Sequence, residues 1–307
     1  MKRPATIKRV VVLCGGFSKE REISLVSGGA ADRALRAKGL DVTKVDVPRD
    51  MASLVNQITA AKPDVVFNAL HGRYGEDGCI QGLLDMMAIP YTNSGRMASA
   101  VAMDKPAAKR MFAAAGIPVA EEKIVTVAEA ERGDVMDRPY VLKPVNEGSS
   151  VGVKIVRTGD NHPPLDDLGL AKDDLIMAER FIPGREVTVA VMGDRPLAVT
   201  EITTARDFYD YEAKYAAGGS KHVLPADLPR AQYEKALELS LLAHKILGCR
   251  GVSRADLRLD GDTFYMLEVN TQPGLTPTSL VPEQANYVGL SFEDLMYWMV
   301  EHAECDA

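Results

Sequence analysis

At 307 residues, with 46% hydrophobic and 26% charged side chains, the chain has the composition of a globular protein with room for two or three lobes and a substantial core. Its net charge of -7 argues against general nucleic-acid binding, which normally shows a basic footprint. The basic start Met1-Lys2-Arg3-Pro4 precedes an apolar run too short for a secretion signal, and no stretch of about 18 apolar residues exists to cross a membrane. Cys14, Cys79, Cys249 and Cys305 show neither a CxxC nor a zinc spacing, so they read as reduced thiols of a cytoplasmic protein, Cys14 and Cys249 as core residues.

In chain order, residues 8–13 (strand), 20–38 (helix), 42–47 (strand), 51–61 (helix) and 63–70 (strand) alternate, which implies a parallel sheet with crossover helices. Gly15-Gly16-Phe17-Ser18 joins the first strand to the first helix; it lacks the GxGxxG spacing, which argues against a dinucleotide site. After Ser94 the pattern changes to a helix over 104–115 and strands over 140–144, 151–157 and 175–181, with 166–174 a polar connector. Strands without long intervening helices suggest an antiparallel α+β lobe. Strands over 186–192 and 196–202 turn at Gly193-Asp194. A polar loop over 204–220, a helix over 230–247, a hairpin and two closing helices follow, and no internal repeat is visible. The expected lobes are 1–93 (parallel α/β), 94–183 (antiparallel α+β) and 184–307 (α+β).

The hairpin carries the most chemistry. In Arg254-Ala-Asp256-Leu-Arg258 and Glu268-Val-Asn270, residues two apart share a strand face, so a cation and three metal-ligand oxygens fall on one side. This expectation requires a three-residue loop, Asp260-Gly261-Asp262, because a two-residue turn flips one strand's set to the other side. Such a face suits Mg²⁺, which takes one or two carboxylates and completes its shell with water and phosphates. The plainer alternative is a hairpin with solvated charges.

Lys143 ends a strand and precedes the small-residue loop Glu147-Gly148-Ser149-Ser150-Val-Gly152, whose amides can close over phosphate oxygens. A turn between antiparallel strands is equally rich in Gly and Ser. Lys105, in the first turn of its helix, is as well read as a surface residue. Glu179 and Glu186 bracket a bend and are either solvated or able to read an amino group and hydroxyls. His71 follows a strand in a Gly-rich loop, a common setting for a structural histidine.

Together these motifs resemble the ATP-grasp ligases, and within them the D-alanine:D-alanine ligase family. Six segments in order carry the resemblance: Gly15 to Ser24, Ala69-Leu-His71 to Gly78, Met103-Asp-Lys105, Glu147 to Gly152, Tyr209-Asp-Tyr-Glu-Ala-Lys214-Tyr215, and Glu268-Val-Asn270-Thr-Gln-Pro-Gly274 with Ser279-Leu280. The resemblance implies an ATP-grasp fold and ATP between the middle and last lobes. Lys105, Lys143 and Lys214 would hold its phosphates, Glu186 its ribose, and Glu179 with the backbone of Arg180, Phe181 and Ile182 its adenine. Asp256, Glu268 and Asn270 would hold two Mg²⁺ ions, with Mn²⁺ as a substitute.

It further implies that D-alanine's carboxylate takes the γ-phosphoryl group and that a second D-alanine's amine displaces it, giving a dipeptide for peptidoglycan. Arg254 and the Gly274 amide would stabilise the oxyanion, and Glu20 would bind the first ammonium. Ser279 and the Leu280 amide would hold the second carboxylate, His71 would bond the substrate, and Tyr215 would join Ser149 and Glu20. A homodimer is also implied. Phe181, Gln272 and Val252-Ser253 depart slightly from the family pattern without removing a catalytic group. The rivals are a relative joining D-alanine to D-lactate or another D-acid, and a non-catalytic ATP-binding scaffold. Every acid, amide and arginine the chemistry needs is present, which disfavours the scaffold.

Overall fold

Strand β1 (Arg9–Cys14) is apolar on both faces, as a parallel strand covered by helices requires. In this computed structural model, which describes residues 7–146, 152–203 and 221–306, helix α1 (Arg21–Ala37) leads from β1 to β2 (Asp41–Asp46). Helix α2 (Met51–Ala61) then leads to β3 (Val65–Asn68), and the three strands form a parallel sheet of order β2-β1-β3. β3 is shorter than residues 63–70 because the Asn68 side chain accepts the Leu70 N–H at 3.1 Å, an Asx-type turn that ends the strand.

Helices α3 (Cys79–Met86) and α4 (Arg96–Met103) were not expected, and their start signals are weak: the capping positions are Gly78 and Gly95, with no side-chain cap. Helix α5 (Lys105–Ala114) is capped by Asp104, which accepts the Ala107 N–H, and Pro106 sits in its first turn. Next come β4 (Glu122–Thr126), the short helix α6 (Val127–Glu131), β5 (Tyr140–Pro144), β6 (Lys154–Val156) and β7 (Leu175–Arg180). These strands form an antiparallel sheet of order β4-β7-β5-β6, with β4 and α6 additional to the sequence expectation.

The third sheet is built from β8 (Arg185–Met192), β9 (Arg195–Thr203), β10 (Lys221–Val223), β11 (Val252–Asp260) and β12 (Thr263–Asn270), in the order β10-β9-β8-β11-β12. Helix α7 (Arg230–Ile246) and α5 cover one face, where Val187, Val189, Val199, Leu257 and Met266 meet Phe112, Ala236 and Ala243. Helices α8 (Leu280–Tyr287) and α9 (Phe292–Glu301) close the chain. α9 packs back on α1 and β3 through Leu35, Phe67, Met296 and Val300, tying the end of the chain to the first sheet.

The hairpin differs from expectation in one respect. Asp260 pairs Thr263, so its turn is two residues, Gly261 and Asp262, and not three. A regular ladder from that turn would set Asp256 opposite Leu267 and send Glu268 to the core side. The register instead shifts beyond Leu257↔Met266 so that Asp256 pairs Glu268 and Arg254 pairs Asn270. Leu267 is thus the extra residue of a β-bulge. Phe264 and Met266 before it and Val269 after it all reach the same core, while the acids share the other face.

Candidate active site

The face of the third sheet opposite α5 and α7 presents its side chains in rows. One row runs His222, Ile202, Glu186, Arg258 across β10, β9, β8 and β11; the next runs Thr200, Thr188, Asp256, Glu268; a third brings Ala190, Arg254 and Asn270 together. Arg254 binds Asp256 through both ends of its fork, Nε to Oδ1 at 2.8 Å and Nη2 to Oδ2 at 2.6 Å. Thr188 Oγ1 donates to Asp256 Oδ1 at 2.7 Å and Asn270 Nδ2 to Oδ2 at 3.1 Å. Lys105 Nζ lies 3.8 Å from Glu268 Oε2.

Among the described residues no three His, Cys, Asp or Glu side chains form a metal cluster. The set here is two carboxylates and an amide, hard oxygen donors that suit Mg²⁺ better than a soft transition metal. Asn270 meets Asp256 through its nitrogen in this geometry. Turning the amide about its terminal torsion presents its oxygen instead.

Beside this row lies a slot between the second and third sheets, lined by Val141, Lys143, Glu179, Phe181, Ile182, Arg258 and Leu267. The bulge therefore also supplies a wall of the slot. Arg258 organises the bend that the sequence placed between Glu179 and Glu186: its guanidinium donates to the carbonyls of Ile182 and Gly184, each at 3.0 Å, and to Glu186 Oε2 at 3.2 Å. It also stacks over the Phe181 ring, 5.4 Å from its centroid. Arg180 turns the other way, over Tyr265.

Glu179 is fully buried and both its oxygens are engaged. Lys143 Nζ donates to Oε2 at 2.7 Å, and Lys109 Nζ donates to Oε1. Burial alone would raise this carboxyl's pKa; the two ammonium groups outweigh it and hold the group ionised, below the ordinary carboxylate range. Sequence reasoning missed Lys109. Its physical reason is that Glu122 pairs Glu179 directly across β4 and β7, and like charges so opposed repel. Lys109 Nζ, 2.7 Å from Glu122 Oε2, stands between them. The available signal was a lysine in the apolar stripe of α5, beside Ala108 and Phe112.

On the first sheet, Ser18 Oγ donates to the His71 carbonyl at 2.7 Å and accepts from the Glu20 N–H at 3.2 Å, binding the two candidate loops together. His71 is buried with Nε2 at 3.0 Å from Ser27 Oγ and Nδ1 at 3.3 Å from Glu76. Gly72, at φ +68°, lets Glu20 lie over it: a Cβ there would come within 2.4 Å of Glu20 Oε2.

Gln272 explains how this loop meets the hairpin's continuation. Its Oε1 accepts from Asn93 Nδ2 at 2.6 Å and its Nε2 donates to the Asn68 carbonyl at 2.7 Å. Gln284 does the same for α8. The β8–β9 ladder skips Ala190, whose N–H donates to Gln284 Oε1 at 2.8 Å, while Gln284 Nε2 donates to the Thr188 carbonyl and Thr200 Oγ1. This buried side chain sets the start of α8 beside the acid row. Ser279, the helix's capping residue, turns its hydroxyl back to Thr276 and makes no side-chain cap bond.

A cleft of about 420 Å³ opens here, lined by Glu22, Ile23 and Val26 of α1, His222, Arg254, Gly274, Ser279 and Leu280. Arg254 thus borders both the acid row and this cleft. His244, behind the hairpin, is buried with Nδ1 2.7 Å from Ser253 Oγ; burial lowers its pKa to about 4, so the ring is neutral. Three of the expected residues, Ser149, Lys214 and Tyr215, lie outside the described residues.

Comparison with known proteins places this geometry. Family models described as D-ala D-ala ligase C-terminus and N-terminus match residues 111–301 and 50–94. A curated D-alanine--D-alanine ligase of Rhodospirillum rubrum is 59% identical over 305 residues, 98% of this chain and 99% of that one. The chain belongs to the D-alanine–D-alanine ligase family. The family's curated member from Parvibaculum lavamentivorans is 57% identical over 97% of this chain and 98% of its own. Among solved structures, the D-alanine--D-alanine ligase of Bacillus anthracis superposes with TM-score 0.82 at 30% identity, covering 96% of this chain and 97% of that one. The same enzyme complexed with ATP gives 0.80 at 27%, with the same coverage. The VanG D-Ala:D-Ser ligase of Enterococcus faecalis gives 0.79 at 28%, covering 96% and 99%. The fold is therefore the ATP-grasp fold of these ligases, mixing a parallel α/β sheet with antiparallel α+β sheets.

Proposed function

We propose that this chain joins two D-alanines into D-alanyl-D-alanine, driven by ATP and releasing ADP and phosphate, for peptidoglycan precursor synthesis. The observation that carries the reading is one sheet face on which Arg254, Asp256, Glu268 and Asn270 stand between an apolar slot and a cleft that ends at a helix N-terminus. In this reading adenine enters the slot against Phe181, Ile182 and Leu267, near Glu179 and the backbone of Arg180. Glu186, held by Arg258, reads the ribose, and Lys105, Lys143 and Lys214 hold phosphate oxygens.

Asp256, Glu268 and Asn270 are the residues that would hold two Mg²⁺ ions. Bound there, the ions neutralise charge on the transferring phosphoryl group. The first D-alanine, its ammonium on Glu20, attacks the γ-phosphorus through its carboxylate to give D-alanyl phosphate. The second D-alanine's amine then attacks that carbonyl, and phosphate leaves. Arg254 and the Gly274 N–H donate to the tetrahedral oxyanion; the arginine's charge and fork are fixed at all working pH values. The Ser279 hydroxyl and Leu280 N–H receive the second carboxylate, an anion at a helix N-terminus. His71 has both ring nitrogens engaged within the protein, so it acts chiefly by fixing the loop beside Glu20. Ser149 and Tyr215 complete the set around Glu20. We further read the chain as three lobes, 1–93, 94–183 and 184–307, in a cytoplasmic homodimer. No described helix is long and apolar enough to cross a membrane.

The test is to incubate the protein with ATP, Mg²⁺ and equal D-alanine and D-lactate, following phosphate and products by mass spectrometry. Dipeptide alone is expected. Substantial depsipeptide overturns the specificity, and absence of D-alanine-dependent phosphate release overturns the reading as a whole.

A further inference from the structure

We propose that His222 is a positioning residue for the second D-alanine: by pairing with Glu283 it compensates a carboxylate in the first turn of α8, the helix whose N-terminus receives that substrate's carboxylate. The inference rests on the ligase reading above and adds to it a pair outside the metal and nucleotide residues.

Strand β10 brings His222 opposite Ile202, on the same sheet face as the acid row, and to the wall of the cleft that holds Arg254, Gly274 and Ser279. Its Nδ1 lies 2.8 Å from Glu283 Oε2. An ionised carboxylate only accepts, so Nδ1 carries the proton and donates. Glu283 follows Ser279 by one turn, its N–H donating to the Ser279 carbonyl at 3.0 Å. An acidic side chain in the first turn is favourable for the helix alone, but it competes with a bound anion for the same amide field.

The rest of the cleft makes that competition matter. Glu22 of α1 is a carboxylate on its wall, and Arg254 there is already shared with Asp256. Among the described residues, an incoming carboxylate therefore meets more carboxylates than cations. His222 draws Glu283 toward the β10 edge and supplies it a donor, leaving the amides at Ser279 and Leu280 for the substrate.

The test separates the two half-reactions. In the wild-type protein, D-alanine-dependent positional isotope exchange within ATP reports acyl phosphate formation at the first site, and dipeptide formation gives KM for the second D-alanine. His222→Phe keeps a planar aromatic ring, somewhat larger, and removes the donor. It is expected to raise the second KM about five- to tenfold, with kcat and the isotope exchange within about twofold of wild type. His222→Gln, which restores an amide donor, should recover most of the loss. The double variant His222→Phe/Glu283→Gln should return KM to near the wild-type value, because the carboxylate in the first turn of α8 is gone, and added salt should shrink the single variant's defect.

An unchanged KM in His222→Phe, or a double variant as impaired as the single one, overturns the proposal; the latter would mean that His222 only packs. Should His222→Phe not fold, Glu283→Gln decides alone. A second KM at or below wild type supports the proposal, and a fivefold rise overturns it. A wild-type protein that makes no dipeptide would instead sink the ligase reading.

Discussion

Asp256 and Glu268 face each other directly across the β11–β12 hairpin because Leu267 is an extra residue in β12. With a two-residue turn and no bulge, the second acid would point into the α5–α7 core. The two acids differ in what surrounds them, and so in what their removal should do.

Glu268 is partly exposed, with Oε2 3.8 Å from Lys105 Nζ. Glu268→Gln is expected to reduce D-alanine-dependent phosphate release by at least about 10³, with Tm shifted by less than about 2 °C. Asp256 is buried and takes both ends of Arg254's fork and the Thr188 hydroxyl. Asp256→Asn should abolish turnover and also cost about 2–4 kcal/mol, since it strands a half-buried guanidinium. Phosphate release and thermal melts on both variants check this; equal melting temperatures would refute the distinction.

The bulge residue lines the slot between the sheets. Leu267→Ala removes apolar surface from that wall, and a loss of about 1–2 kcal/mol corresponds to a KM for ATP raised about 5- to 30-fold. Turnover at saturating ATP should change much less. A variant with unaltered ATP affinity would show that no base rests on Leu267.

Lys109 and Lys143 both hold Glu179, yet only Lys109 also reaches Glu122. Lys109→Met should cost about 3–5 kcal/mol in urea unfolding, because it strips a cation from the partly buried Glu122 and weakens the hold on the buried Glu179. Lys143→Met should cost less stability, since Glu179 keeps Lys109, and should raise KM for ATP more. The opposite ranking in either measurement would contradict these roles.

His244 is neutral in the folded protein, with its pKa lowered to about 4 by burial. Above about pH 6.5 the ring is neutral in both states and contributes no pH dependence. As pH falls below 6.5 the unfolded chain takes up the proton first, so stability declines until about pH 4, by up to about 3 kcal/mol. Urea midpoints from pH 7.5 to 4.5 should therefore fall more steeply in the wild type than in His244→Asn. Parallel slopes would remove His244 from the acid sensitivity.

Much of the architecture was legible because hydrophobic period and turn residues are local signals. Residues 51–61 and 140–144 match α2 and β5 to the residue, and the Gly193-Asp194 turn joins β8 to β9. α3 and α4 escaped because their capping positions are glycines that leave no side-chain signature. β10 escaped because three residues carry too little pattern to read.

For the candidate site, residue type and spacing on a strand were enough to nominate Arg254, Asp256, Glu268 and Asn270, because chemistry that needs oxygen donors on one face leaves its mark at alternate positions. Spacing could not tell whether the two strands present those positions to the same side. That depended on the turn length and the bulge at Leu267, which are settled by which side chains the α5–α7 core accepts. Lys109 between two opposed carboxylates, Gln284 on the N–H that the ladder skips, and His222 beside Glu283 were likewise decided by tertiary structure alone. Each includes a contact between residues more than 60 positions apart, and a buried polar group's need for a partner is met wherever the fold brings one, without regard to distance along the chain.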